Sequence, residues 1–363
     1  MLFILAAISV LALLIVVHEL GHFLAARLQG IHVNRFSIGF GPIVWKYQGA
    51  ATEYAIRALP LGGFVGFPDD DPDSDIPEND PNLLQNRPIL DRVIVVSAGV
   101  VANLIFAYLI FVLQFGAFGI PEASEPGVLI PELASEINSA AAEAGVKAGD
   151  VVLAANGQTF DRSLQSIDHL KQIIEAHPDK PIRLEVERGD QTLSLTVTPK
   201  PDSNGVGKIG VSLSHNGDFR FRRTRNVFET LGFAAEEFQA MLLATVNGFV
   251  NLITNFNQLA GHVAGPVGIV DQGRKLAENN LLNLFPFTAI ISINLAIINI
   301  LPLPALDGGQ LAFLLIEGVR GKPLPARIQE NVMQTGLVLL LGLGVFIIVR
   351  DTTQLEIFQD LLQ

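Results

Sequence analysis

The sequence predicts a polytopic α-helical membrane protein of about four transmembrane helices, with membrane-associated β-hairpins and an inserted α+β domain. Three observations predict it. Of 363 residues, 49% are hydrophobic and 17% charged, against about a quarter charged in soluble domains, and the mean hydropathy is +0.41. The missing charges are clustered: residues 1–18, 93–121, 279–306 and 331–349 contain no Asp, Glu, Lys or Arg. Between the second and third of these stretches the pattern changes to short alternating segments broken by Gly, Asn and Pro, the mark of a folded insertion.

A bilayer core takes roughly 20 mostly apolar residues per helix. The second and third stretches exceed that length, the fourth nearly meets it, and the first continues apolar past Glu19 to Ala26. The first stretch lacks the basic leader and small-residue cleavage site of a signal peptide, so it reads as a retained helix. A further uncharged stretch, 238–270, is interrupted by Asn247, Asn251, Asn255, Asn257, Gln258 and His262. It reads as interfacial rather than spanning.

The short connections carry Arg27, Arg35, Lys46, Arg57, Arg87 and Arg92 after the first span, and Arg320, Lys322 and Arg327 after the third. Basic connections face the cytoplasm, which puts both termini and the long middle region on the other side. The expected organisation is 1–121, a first membrane half; 122–214, the inserted domain; 215–284, an extracytoplasmic or interfacial helical region; and 285–363, a second membrane half. A net charge of −12 argues against a nucleic-acid partner. Much of it lies in DDDPDSDIPEND at 69–80, a solvated loop. With no Cys, any metal must be held by His and carboxylate.

Residues 31–67 contain too much Gly and Pro for a helix and read as hairpins with at least one free edge. In the middle region, 127–130 and 150–155 read as strands. Asn156-Gly157 is a tight turn, 163–176 a helix, and 182–187 with 193–198 a strand pair. No residue set between 122 and 211 suggests catalysis.

The chemistry concentrates in His18-Glu19-Leu20-Gly21-His22. Two His residues at i and i+4 share one helix face and can bind one ion, and neutral imidazole suits zinc. Glu19 is placed to take a proton from water at that ion. Ionisable groups inside a membrane helix cost roughly 2.5–3.5 kcal/mol each, so a purely structural role is disfavoured. A third ligand at membrane depth is available in Asp307, which follows a stretch broken by Pro302 and Pro304. Such backbone is tolerated at that depth only when buried or lining a cavity.

These motifs resemble the site-2 proteases, in particular the bacterial regulator-of-sigma-factor type with a PDZ domain. HELGH at 18–22, NxxPxPxLDG at 299–308 and GPVG at 265–268 match family elements. The segments around 36–42 and 54–67 resemble the family's membrane-associated hairpins. The run AAAEAGVKAGDVVLAANG at 140–157 resembles a PDZ helix-turn-strand signature. Lys208 with Ile209, Gly210 and Val211 resembles the carboxylate-binding loop of a circularly permuted PDZ domain. Only one such domain is evident, where some relatives carry two.

The resemblance implies one Zn2+ held by His18, His22 and Asp307, Glu19 as acid and base, and Asn299 holding substrate or the transition state. It implies membrane-spanning protein substrates, such as anti-sigma factors in regulated intramembrane proteolysis, within the lipid bilayer. A C-terminal peptide is a possible guest of the PDZ domain. The expected setting is a bacterial inner membrane with the PDZ domain extracytoplasmic; a plastid or thylakoid membrane is the other setting left open. An exposed strand edge carrying Tyr54, Ala55, Ile56, Gly62, Gly63 and Phe64 is expected to hold an unwound substrate by β-addition. The rival readings are a metal transporter, which gives Glu19 no distinct role, and a PDZ-bearing scaffold, which needs no metal.

Overall fold

The computed structural model describes residues 2–71, 74–133, 139–202, 205–256 and 264–354. In chain order the elements are α1 (Leu2–Leu28), β1 (Arg35–Gln48), β2 (Glu53–Gly66), α2 (Ile89–Phe118), β3 (Ile120–Ala123), β4 (Val128–Ile130), α3 (Ala140–Glu143), β5 (Asp150–Ala155), β6 (Gln158–Thr159), α4 (Gln165–Glu175), β7 (Ile182–Arg188), β8 (Gln191–Val197), β9 (Lys200–Pro201), β10 (Gly207–Lys208), β11 (Ser214–His215), β12 (Phe219–Arg222), α5 (Val227–Thr254), α6 (Pro266–Asn279), α7 (Leu284–Ile300), α8 (Asp307–Arg320) and α9 (Ala326–Gln354). They form two compact units, Met1–Gln114 with Thr230–Gln363, and Phe115–Glu229.

Among the described residues four helices are long and apolar enough to cross a bilayer: α1, α2, α7 with the turn before it, and α9. They fall on the four charge-free stretches expected to span. Helix α5 is not one of them. It covers the first half, 238–254, of the stretch 238–270 expected at the interface, of which 257–263 lie outside the described residues.

In the first unit, α1 ends at Gly30, whose φ of +74° is the left-handed conformation that closes helices. Its amide donates to Arg27 O at 3.1 Å. Helices α1 and α2 cross closely: a Cβ on Gly21 would lie 2.4 Å from Ala98 O and 2.7 Å from Ala102 Cβ. Small residues permit such crossings in membranes, where helix association rests on packing. Ala26, Ile31, Val33 and Val95 are buried together beneath Phe23 and Val65.

The β1–β2 register defines a bent four-stranded arrangement. Residues 43–48 pair with 53–57, residues 53–56 also pair with 35–38, and residues 35–38 pair on their other side with 63–66. Trp45, Tyr47, Ile43 and Val44 on the outer strand are exposed, consistent with a hairpin that lies against lipid.

The GPVG segment caps α6. The buried Asp351 carboxylate near the end of α9 accepts from Gly265 N at 2.9 Å and Gly268 N at 3.0 Å, two of the donors a helix N-terminus leaves unpaired. A Cβ on Gly265 would stand 2.2 Å from Ile347 Cγ2 and 2.8 Å from Asp351 Oδ2, so the glycine makes room for the cap.

The second unit holds the inserted α+β domain expected from the sequence. Its main sheet runs β11-β4-β5-β7-β8, with β6 on β5. Val128, Ile130, Val152, Leu170, Ile182, Leu184 and Val186 fill the core. Asn156 and Gly157, at φ +49° and +84°, form the tight turn between β5 and β6. Burial alone would push the Asp150 carboxyl up. Hydrogen bonds from Arg188 and the Lys147 amide, with the charge of Arg188, outweigh it and hold the group below the usual carboxylate range. The unit reaches beyond 122–214 because β3 pairs with β12.

Candidate active site

The HExxH run lies in the C-terminal half of α1. His18 Nε2 and His22 Nε2 are 3.3 Å apart, and Asp307 Oδ2 lies 3.3 Å from the first and 3.4 Å from the second. Three donors of a tetrahedral zinc site with bonds of about 2.0–2.1 Å stand about 3.3–3.4 Å from one another. Asp307 Oδ2 is also a buried oxygen with no hydrogen-bond donor among the described residues. Donor type, spacing and the orphaned oxygen fit a zinc ion, and these are the described residues that could hold one.

Asp307 reaches the histidines because the chain breaks after α7 and refolds as α8. Residues 301–306 turn back on themselves, with Ala305 at a positive φ of +69°, where a non-glycine residue is strained. Its amide points at Met333 Sδ, 3.3 Å away. Gly308 and Gly309 follow because a Cβ on either would meet the returning backbone, at 2.1 Å from Leu301 O and 2.4 Å from Leu303 O. A partly buried ion pair between Arg92 of α2 and Glu317 ties α8 to the N-terminal end of α2.

The histidine tautomers are set by α2. His22 Nδ1 donates to Val95 O at 2.8 Å, which leaves Nε2 bare for a metal. The Asn103 side-chain amide lies 3.2 Å from His18 Nδ1. As placed its Nδ2 faces the ring; turned with its oxygen to the ring, it accepts Nδ1–H and leaves His18 Nε2 bare as well. Ser292 of α7 donates to Asn103 O at 2.8 Å. A Cβ on Gly99 would stand 2.3 Å from His22 Nε2 and 2.7 Å from His18 Cε1, so α2 can cover the histidines only with glycine there. The sequence reading missed Gly99 and Asn103. Their signal was a polar residue at membrane depth, four positions after a glycine and one after Ala102.

Asn299 lies near the end of α7 with its Nδ2 3.3 Å from His18 Nε2, among the three donors. Glu19 faces β2: a Cβ on Gly63 would stand 2.9 Å from Glu19 Cγ. Tyr54, Ala55 and Ile56 are paired on both sides, by 45–47 and by 36–38. Their backbone is therefore not the open edge expected from sequence. Among the described residues Gly63 and Phe64 pair only with Ile38 and Ser37, which leaves their other side unpaired, with Gly62 preceding them and Glu19 over the strand face at Gly63. In the second unit, Ile209 is buried and Gly210 has φ +75°. With Val211 they line a groove against Ile167, Lys171 and Ile174 of α4.

Two histidines and a carboxylate converging at zinc spacing, beside a glutamate on membrane-length helices, define a metal-dependent membrane peptidase. The model of peptidase family M50 matches residues 6–343, and the chain belongs to that family. It is a zinc metalloprotease. It is 63% identical to a Nostoc sp. protein that bears the name zinc metalloprotease, over 97% of this chain and 96% of that one. It is 47% identical to the membrane metalloprotease ARASP, chloroplastic, of Arabidopsis thaliana, over 99% and 80%. To the regulator of sigma-E protease RseP of Salmonella typhimurium it is 30% identical, over 94% and 97%. Among solved structures, the PDZ domain of an SdrC-like protein from Listeria monocytogenes shares 21% identity, covering 24% of this chain and 86% of that one with a TM-score of 0.21.

Proposed function

We propose that the protein cleaves membrane-anchored proteins within or beside the bilayer, with His18, His22 and Asp307 holding zinc and Glu19 moving the proton. The observation that carries the reading is the convergence of the three donors between α1 and α8, with Glu19 packed on the strand at Gly63. When bound, zinc polarises the scissile carbonyl and makes water acidic enough to attack near neutral pH. Glu19 takes the proton of the attacking water and delivers it to the leaving amine nitrogen. Asn299 donates its amide N–H to the oxygen that gains charge as the carbonyl is attacked. Val95 O and Asn103 keep both imidazoles in the tautomer that presents Nε2.

A helical substrate has its carbonyls occupied and must unwind before it is cut. The resemblance to a regulator of sigma-E protease supports membrane-anchored proteins, such as anti-sigma factors, as the substrate class. The PDZ-like groove suits a C-terminal peptide. The chain reconstituted in liposomes is expected to cut a single-span reporter at a bond in or next to its span. A zinc chelator is expected to stop cleavage and added zinc to restore it. A reporter left whole under those conditions overturns the reading.

Residues 62–64 hold the unwound segment as an added strand. Proline at Phe64 removes a backbone donor and stiffens the edge, whereas proline at exposed Val44 alters the outermost strand away from Glu19. The Phe64→Pro variant is expected to keep zinc and lose at least tenfold in cleavage, and Val44→Pro to lose little. Equal cleavage by both rules out the edge.

The bias of Lys and Arg orients the chain with 69–80 in the cytoplasm and the PDZ-like domain outside it. Because the chain has no Cys, a single Cys replacing Asp75 reports its side. Labelling is expected only after the membrane is permeabilised. Labelling of intact cells by an impermeant reagent refutes the orientation.

A further inference from the structure

Helix α2 stops at Phe118, and its end is closed by Gly119, whose amide donates to Phe115 O at 3.0 Å and whose φ is +95°. Strand β3 begins at the next residue and pairs with β12, with Ile120 opposite Arg222. A Cβ on Gly119 would lie 2.5 Å from Arg222 O and 3.3 Å from Arg223 N. The backbone at Arg222 and Arg223 therefore rests against the last turn of a membrane span. At about 3.3 Å per strand residue, Arg220 lies about 7 Å farther along. Strand β12 thus runs up to the end of this span, with Arg222 and Arg223 against it.

The composition of 219–228 is unusual for a chain of net charge −12. Arg220, Arg222, Arg223 and Arg225 fall within six positions. Arg222 is neutralised by Glu122 at 2.6 Å and Glu229 at 3.0 Å. The other three are exposed, and among the described residues no carboxylate forms an ion pair with their side chains. Around them Phe219, Phe221, Val227 and Phe228 are 56%, 45%, 69% and 84% exposed. Exposed guanidinium groups, of which Arg225 also acts on Glu229, interleaved with exposed rings suit a surface that is anionic at its face and apolar just beneath. An acidic peptide would explain the arginines and leave the rings unexplained.

We propose that residues 219–228 bind anionic phospholipid headgroups of the leaflet at the C-terminal end of α2. Arg220, Arg223 and Arg225 contact the phosphates, and Phe221, Val227 and Phe228 enter the acyl boundary. The ribbon between α2 and α5 is thereby held at the bilayer surface, a role separate from the metal centre.

The test uses the full chain purified in a neutral detergent and titrated with phosphatidylglycerol or phosphatidylcholine, with retained lipid counted by native mass spectrometry. The wild type is expected to prefer phosphatidylglycerol. Each arginine at a membrane surface contributes roughly fivefold in affinity. The R220Q/R223Q/R225Q variant is therefore expected to lose roughly 100-fold while keeping its zinc, and the three Arg→Lys changes together to retain the preference. The single Gln variants, at roughly fivefold each, serve if the triple variant does not fold. No preference in the wild type, or an unchanged preference in the Gln variants, overturns the proposal. So does competition by polyglutamate with no retained phosphatidylglycerol, which would make the surface a site for acidic protein segments.

Discussion

Glu19→Gln is expected to yield a protein that binds zinc as the wild type does and cuts its reporter about 10^2–10^4-fold more slowly. The amide has nearly the size of the carboxylate, so contact with Gly63 and the position of α1 are preserved. What it lacks is a site for the proton. Glu19 is adjacent to His18 in sequence and lies off the face on which His18 and His22 converge, which is why its loss spares the donors. Single-turnover cleavage with zinc content measured on the same sample checks this. A variant that cuts at the wild-type rate, or that loses zinc along with activity, removes Glu19 from the role of proton carrier. The outcome also separates the rival classes. A transporter would change flux, and a scaffold would change in neither property.

The second large effect concerns the metal centre and the helix that covers it. His18→Ala and Asp307→Ala each remove one of three donors and are expected to leave the purified protein without stoichiometric zinc. Gly99→Ala touches no donor in sequence terms, yet its methyl would occupy the position 2.3 Å from His22 Nε2. Backbone holds that methyl in place, so either α2 lifts from α1 or His22 turns away, and zinc is expected to fall as far as in a ligand variant. Gly232→Ala is the control, because nothing lies within 4 Å of its Cβ position and alanine favours helix. Zinc analysis of the four proteins decides the matter. Full zinc in His18→Ala and Asp307→Ala would dismiss the donor assignment. Full zinc in Gly99→Ala would show that the α1–α2 contact tolerates a methyl.

Local pattern carried much of this protein into view. Spans announce themselves by length and lack of charge, because a bilayer core leaves backbone and charge no water to turn to. His18 and His22 are legible as a pair because 3.6 residues per turn brings i and i+4 to one face. The Asn156-Gly157 turn and the strands beside it are equally local. Contacts between segments distant in the chain were decided only by the tertiary structure. Gly99 and Asn103 matter because α2 crosses α1 at the histidines, and no periodicity within α2 says which of its faces meets them. Residues 54–56 and 62–64 look alike as strands, but 54–56 are paired on both sides, by 45–47 and 36–38, so among the described residues only the second has a free side, with Glu19 over its face. Gly265 and Gly268 form a recognisable motif, and their physical reason is a carboxylate at Asp351, 86 and 83 residues away. A helix or strand is encoded in its own few residues; a site assembled from four helices and a strand depends on how they pack, and that packing is a property of the whole chain.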